Sequence, residues 1–444
     1  MATYYISTSG NDANDGLTQK TPWQTIKKVN SSVKYGDTVC FRCGDTFFGQ
    51  IRAPKGNNSP APTVYTSYGE GTKPTVSQYK TALNGAWEDF GNGIWRIDLT
   101  DTTKFDGNVT ELDTNVGFMK IDGAIKPRKY FELDKLEQQW DFYNDKQYVY
   151  VKSEINPSLL AADIKFACNI ICMPFADNIL VENIIFIGSG SHGISGTVHK
   201  ATVRNCEFHE LGGSELTTHF RPGVRYGNGL ECWTDSSDVL VENCRFSNIY
   251  DVALTMQGNN VKCGWVNMTF RNNVIWNCQQ GFEIWSNGEF ENTGFQNCVF
   301  ENNVCIDSGF SWGHEVRGNK HCSSHLLIYQ TECPLCDVTV KNNTFYNARV
   351  APIFKAGGPQ AMPKDYKITG NLFLIAPKQD VILRSKDTTD EEYQTALDDT
   401  ESVYMRIASH IEETSEVSYY SYFTRAIGKL SSAVNSDDLT QNLN

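Results

Sequence analysis

Val241-Glu-Asn-Cys-Arg-Phe246 is one copy of a short pattern that recurs between Val181 and Phe373. The pattern is apolar, charged, Asn, two residues, then Phe or another apolar residue. Its other copies begin at Val181, Val203, Phe270, Phe300 and Val340, with a degenerate seventh, Ile368-Thr-Gly-Asn-Leu-Phe373. The third positions are Asn183, Asn205, Asn243, Asn272, Asn302, Asn342 and Gly370, separated by 22, 38, 29, 30, 40 and 28 residues. A period in the twenties with longer excursions is the mark of a solenoid whose turns carry loop insertions. Each copy is too short to bury its own apolar face, so the copies must stack. The second position tests this independently. It runs Glu182, Arg204, Glu242, Arg271, Glu301, Lys341, alternating in sign. In a parallel sheet each charge then has opposite neighbours about 4.8 Å away. The Asn column suggests a ladder of side-chain amides at a corner.

The 444 residues carry a net charge of −13 and 40% apolar residues. That excess of acid argues against nucleic acid as a partner. No run of 18 apolar residues is present, so no membrane span is expected. The chain enters strand-like sequence at Tyr4 without a signal peptide. Several of the 14 cysteines, Cys206, Cys244 and Cys305 among them, fall at inward repeat positions. This favours free thiols in a reducing, cytoplasmic compartment, although a secreted chain without its leader would read alike. Cys333-Pro-Leu-Cys336 lacks the second pair or His that zinc needs. No cofactor is expected, and no metal.

Four segments follow. Residues 1–84 read as an N-terminal cap and first turns, with Thr21-Pro22-Trp23 opening a capping helix to about Asn30. Residues 85–154 alternate as antiparallel strands with a hairpin signal at Asp122-Gly123. Residues 155–386 form the repeat core. Residues 387–444 read as a helical tail, from apolar residues at Tyr393, Leu397, Tyr404, Ile407 and Ile411.

Tyr4-Tyr-Ile-Ser-Thr-Ser-Gly-Asn-Asp, Thr21-Pro-Trp, Gly36-Asp-Thr-Val, Gly44-Asp-Thr-Phe and the Asn/Phe repeats resemble bacterial right-handed parallel β-helix proteins of the pectate-lyase-like superfamily. The resemblance implies an all-β, right-handed parallel β-helix, here with an inserted β-rich subdomain. It also implies an oligo- or polysaccharide in a groove along its side; the chain itself is expected to be a monomer or weak oligomer. It does not choose a reaction, because that superfamily includes hydrolases, lyases and tailspikes.

A second strand family narrows the choice: Gly229-Leu-Glu-Cys-Trp233, Asp251-Val-Ala-Leu-Thr-Met256 and Gly281-Phe-Glu-Ile-Trp285. Alternation sends Leu230, Cys232, Phe282 and Ile284 inward and Glu231, Trp233, Glu283 and Trp285 to one outer face. The middle strand is expected to offer Ala253 and Thr255 at the same places, with Asp251 at the edge as a reserve carboxylate. Glu231 and Glu283 would then sit two rungs apart, about 9.6 Å between backbones. Small Ala253 would leave room for a sugar between them. A carboxylate pair is what glycoside hydrolysis requires, and the wide spacing favours inversion. Trp233 and Trp285 would stack on sugar rings. Two long loops flank this face. One carries His219, Arg221, Arg225 and Tyr226. The other carries Ser311, Trp312, His314, Glu315 and Arg317. His219, Arg225, Trp312, His314, Glu315 and Arg317 are therefore candidate substrate contacts. Gly309-Phe-Ser311-Trp-Gly313 matches a nucleophile-elbow string, but the strand–turn–helix it needs is not expected here. The alternatives are a lyase, taking its base from these His and Arg residues, and a non-catalytic glycan-binding protein.

Overall fold

The computed structural model describes residues 1–54, 60–106, 113–216, 223–259, 264–287, 293–318, 322–329, 331–356, 362–375, 382–384 and 403–406. The chain is a right-handed parallel β-helix. Among these residues its wall consists of three parallel sheets. Sheet 1 has ten strands, from Thr3–Ile6 to Tyr366–Thr369. Sheet 2 has ten, from Thr46–Phe48 to Val403–Arg406. Sheet 3 has eight, from Met173–Pro174 to Ile382–Arg384.

The charge column has the expected register. Glu182 faces Arg204, which faces Glu242, then Arg271, Glu301 and Lys341. Arg204 meets Glu182 at 2.6 Å, Arg271 meets Glu242 at 2.7 Å and Lys341 meets Glu301 at 3.1 Å. The terminal motif position faces inward and stacks. The Phe208 ring lies 5.2 Å from Phe186 and 4.7 Å from Phe246, and Phe345 lies 4.7 Å from Phe373. Such rings combine large apolar burial with a packing distance set by the strand spacing.

The Asn column has a different job from the ladder expected of it. Asn183, Asn205, Asn243, Asn272, Asn302 and Asn342 all have φ between 54° and 59°, and Gly370 has φ 64°. They turn the corner from sheet 1 to sheet 2, where Asn tolerates a left-handed backbone that most side chains resist. The amide ladder stands one residue later. Asn273 Nδ2 donates to Asn303 Oδ1 at 3.0 Å, Asn303 to Asn343 at 3.0 Å and Asn343 to Asn371 at 2.9 Å, all buried. On earlier rungs Cys206 and Cys244 hold this place, and the Cys244 amide donates to Asn273 Oδ1 at 2.9 Å.

Three local expectations change. The capping helix runs Ile26–Ser32, with Thr25 accepting from the Lys28 amide; Trp23 instead bridges Ile6. The antiparallel part is wider than 85–154, because Tyr79–Thr81 and Ile164–Cys168 join Val116–Ile121 in one four-stranded sheet. Asp122-Gly123 makes the hairpin turn, with φ 46° and 83°. Val403–Arg406 pairs in parallel with Leu372–Ile375 as a further rung, so Tyr404 belongs to a strand and not to a helix. The rest of the tail lies outside the described residues. No helix of the described residues is long and apolar enough to cross a membrane.

Candidate active site

Sheet 3 presents the site. Leu230, Cys232, Phe282 and Ile284 lie in the helix core, so alternation puts Glu231 and Glu283 on the outer face. The row through them reads Ser195, Glu231, Thr255, Glu283, Leu327. The middle strand is thus shifted by two residues from the expected alignment. Thr255, not Ala253, stands between the carboxylates, and Gln257 stands between Trp233 and Trp285. Ala253 faces Gly229 and Gly281 one column away, in the core. Asp251 sits ahead of the strand Val252–Asn259, whose first residue pairs with Gln280.

Neither carboxylate is a solvated surface group. Glu231 is 4% exposed and Glu283 is 7% exposed. Glu231 accepts hydrogen bonds from Ser195 Oγ at 2.8 Å, from Asn228 Nδ2 at 2.8 Å and from Gln257 Nε2. His192 Nδ1 lies 3.6 Å from its Oε2. Glu283 accepts only from Thr255 Oγ1, at 3.0 Å, among the described residues. Burial pushes its carboxyl up to about 8, and nearby Asp251 pushes the same way. The Thr255 bond and the Arg317 charge pull down, and Glu231 adds a further upward push. Two carboxyls on one face therefore have unlike surroundings, one rich in donors and one poor.

Asp251 lies at the edge as the sequence suggests. Arg317 meets it at 2.6 Å; burial pulls the guanidinium down, but the Asp251 carboxylate beside it outweighs that and holds it above its ordinary range. The Arg317 guanidinium also lies 5.5 Å from the Tyr250 ring. Trp233 and Trp285 are half-buried neighbours with ring centroids 6.4 Å apart, and Tyr329 extends the row at 6.3 Å from Trp285. This aromatic row runs beside the carboxylate row on the same face.

The flanking loops are more structural than the sequence suggests. Arg225 is buried, and its guanidinium donates to the Gly213, Pro127 and Gly117 carbonyls at 2.6, 3.1 and 2.6 Å. It joins the antiparallel insert to the loop before Glu231. Trp312 packs on Phe118 and Tyr250 at 4.9 and 5.2 Å and donates to the Asn248 carbonyl. His314 is buried with Nδ1 at 2.7 Å from Ser323 Oγ. Glu315 is exposed on the single-turn helix Trp312–Val316. Ser311 is the buried N-cap of that helix, accepting from the Gly313 amide at 3.2 Å. His219 and Arg221 lie outside the described residues.

Sequence reasoning missed Ser195, His192, Asn228 and Gln257. A signal existed. Gly193-Ile-Ser195 has the same small–apolar–polar order as Gly229-Leu-Glu231 and Gly281-Phe-Glu283, and it forms the neighbouring rung. Among the described residues no three His, Cys, Asp or Glu side chains gather as a metal cage.

Residues 164–321 match the family model of the right-handed β-helix region. Over 83 residues the chain is 35% identical to a lacto-N-biosidase of Bifidobacterium longum subsp. longum; that stretch is 17% of this chain and 5% of the relative. The structure is similar to that of XylC in complex with xylose, with a TM-score of 0.52 and 11% identity over 91% of this chain and 82% of that one. A GH136 lacto-N-biosidase from Eubacterium ramulus aligns at a TM-score of 0.43 and 11% identity, over 92% of this chain and 67% of that one.

Proposed function

We propose that this chain is a carbohydrate-active enzyme, specifically a glycoside hydrolase that works with Glu283 as general acid and Glu231 as its ionised partner. The observation carrying this reading is the contrast between the two carboxyls. Glu283, pushed up to about 8, keeps its proton at neutral pH. It can then give that proton to a departing glycosidic oxygen. Glu231 accepts from three side chains, the surroundings of a group that works as an anion, either activating water or attacking the anomeric carbon. The two-rung spacing favours a water between them and hence inversion. Trp233, Trp285 and Tyr329 offer ring faces for the sugar. The relatives support the substrate class: one is named for a glycan and another was solved with xylose. Among the described residues, three of the bases open to a lyase are engaged: Arg225 and Arg317 are bonded elsewhere and His314 is held by Ser323, while His219 and Arg221 lie outside those residues.

The test is a screen against p-nitrophenyl lacto-N-bioside, p-nitrophenyl xyloside, xylan, polygalacturonate and alginate. The expected result is new reducing ends without an ultraviolet-absorbing unsaturated product. Glu231→Gln and Glu283→Gln should each lower kcat by about 10²–10⁴-fold. An unsaturated product, or full activity in both variants, would overturn the assignment. Proton NMR of the first-formed anomer reads the stereochemistry.

A further inference from the structure

His192 stands next to this machinery with one ring nitrogen already committed. The Asn228 amide donates to His192 Nδ1 at 3.0 Å. Nδ1 must therefore be the bare nitrogen, and the neutral ring carries its proton on Nε2. The ring is locked in place. It is 8% exposed, and its edge meets Tyr226 at 5.1 Å between centroids. The Tyr226 hydroxyl is in turn held by Asn169 Oδ1 at 2.5 Å and Ser191 Oγ at 3.1 Å. Asn228 ties the assembly together. Its amide side chain donates to Glu231 Oε2, and its Oδ1 accepts from the Val252 amide at 3.1 Å. Nε2 is different. Among the described residues it has no hydrogen-bond partner, yet it is not among the enclosed, unpaired polar atoms of the interior. It is an open donor on the rung beside Glu231.

We propose that His192 is a substrate-contacting residue: its Nε2–H donates to a hydroxyl of the sugar ring seated against Glu231. This rests on the hydrolase reading of the Glu231 and Glu283 pair. Such a bond fixes the ring against Glu231 and Glu283, so the reacting carbon is held where both carboxyls can reach it and its loss costs that orientation. It also makes the site sensitive to a ring lacking that hydroxyl, since a placed donor left unpaired is costly. The second ring nitrogen explains why a His serves where Lys or Arg would not. Nδ1 accepts from the chain that carries Asn228, and neither Lys nor Arg has an acceptor.

The experiment compares His192→Ala, His192→Gln and His192→Asn on whichever screened glycan the wild type turns over. Gln places an amide N–H near the Nε2 position, whereas Asn places its amide near Nδ1. The expected result is a fall in kcat/KM of about 10²-fold or more for Ala and Asn, with at least tenfold recovered by Gln and with melting temperatures within a few degrees. Ala retaining activity within twofold would overturn the proposal. Gln no better than Ala would also overturn it, because the role would then be support of Asn228 alone. A second arm needs no turnover. Long-range proton–nitrogen correlation of the imidazole rings, with His192 assigned by its loss in His192→Gln, reads the tautomer and its response to xylose, galactose and N-acetylglucosamine. An Nε2–H pattern whose Nε2 signal moves with at least one sugar supports the proposal even if the hydrolase reading fails. An Nδ1–H pattern, or no movement with any of the three, refutes it.

Discussion

Glu283 is the residue on which stability and chemistry pull in opposite directions. Its unfolded carboxyl ionises near 4.5 and its folded one near 8. Between those values the native chain keeps a proton the unfolded chain has released. Stability therefore falls as pH rises through that window, by at most about 1.4 kcal/mol per pH unit, and levels off above it. Glu283→Gln removes the titration. Melting curves should show the variant gaining on the wild type from pH 5 to pH 8, while it loses catalysis. Asp251 supplies part of the upward push. In Asp251→Asn that push is gone and Arg317 is released from its ion pair at 2.6 Å, so both changes favour an ionised Glu283. The alkaline limb of the pH–rate profile should move down by about one unit or more, read as a midpoint because the unpaired buried cation also lowers stability.

At the scale of the element, adjacent positions in one motif do two separate jobs. Asn302 has φ 56° and makes a corner. Asn302→Gly should cost little, whereas Asn302→Val should cost about 1–2 kcal/mol, because a β-branched side chain crowds the left-handed backbone. Asn303 sits next to it with an Nδ2 bonded to Phe270 O and to Asn343 Oδ1, both at 3.0 Å, and an Oδ1 accepting from Asn273. Asn303→Ala leaves buried donors and acceptors on two rungs without partners. Chemical denaturation should show a loss of about 2–4 kcal/mol. The sequence shows an Asn-rich corner but not which Asn turns and which bonds, since both follow from local geometry around a single peptide.

Across the described residues two large apolar cores meet, one inside the β-helix and one inside the antiparallel insert. Arg225 bonds across that junction to Gly117 and Pro127 on one side and to Gly213 on the other. Lys120 adds an ion pair with Glu210 at 2.7 Å. Arg225→Ala should lower stability by about 3 kcal/mol or more, since three buried carbonyls lose a charged donor. It should lower activity through the loop that leads to Glu231. Arg225→Lys should rescue little, because a single ammonium cannot span the three carbonyls as a planar guanidinium does. Differential scanning calorimetry and the hydrolase assay check both outcomes.

What the amino-acid sequence determined by itself is the stack. The Asn/Phe period, the alternating charges and the inward cysteines are local repeats, and a repeat in sequence becomes a register in space because each rung contacts only its neighbours. The same logic was enough to place Glu231 and Glu283 on one face. Tertiary structure decided the rest. Thr255 lies between the carboxylates because the strand Val252–Asn259 pairs two residues away from the alignment its sequence suggests. His192 and Asn228 meet Glu231 because loops from different rungs close over it. Arg225 and Trp312, which look like sugar contacts in the sequence, serve the insert because that insert packs against their loops. Glu283 holds its proton because of burial and of Asp251, which depend on how loops from different turns pack and not on the identity of any one residue.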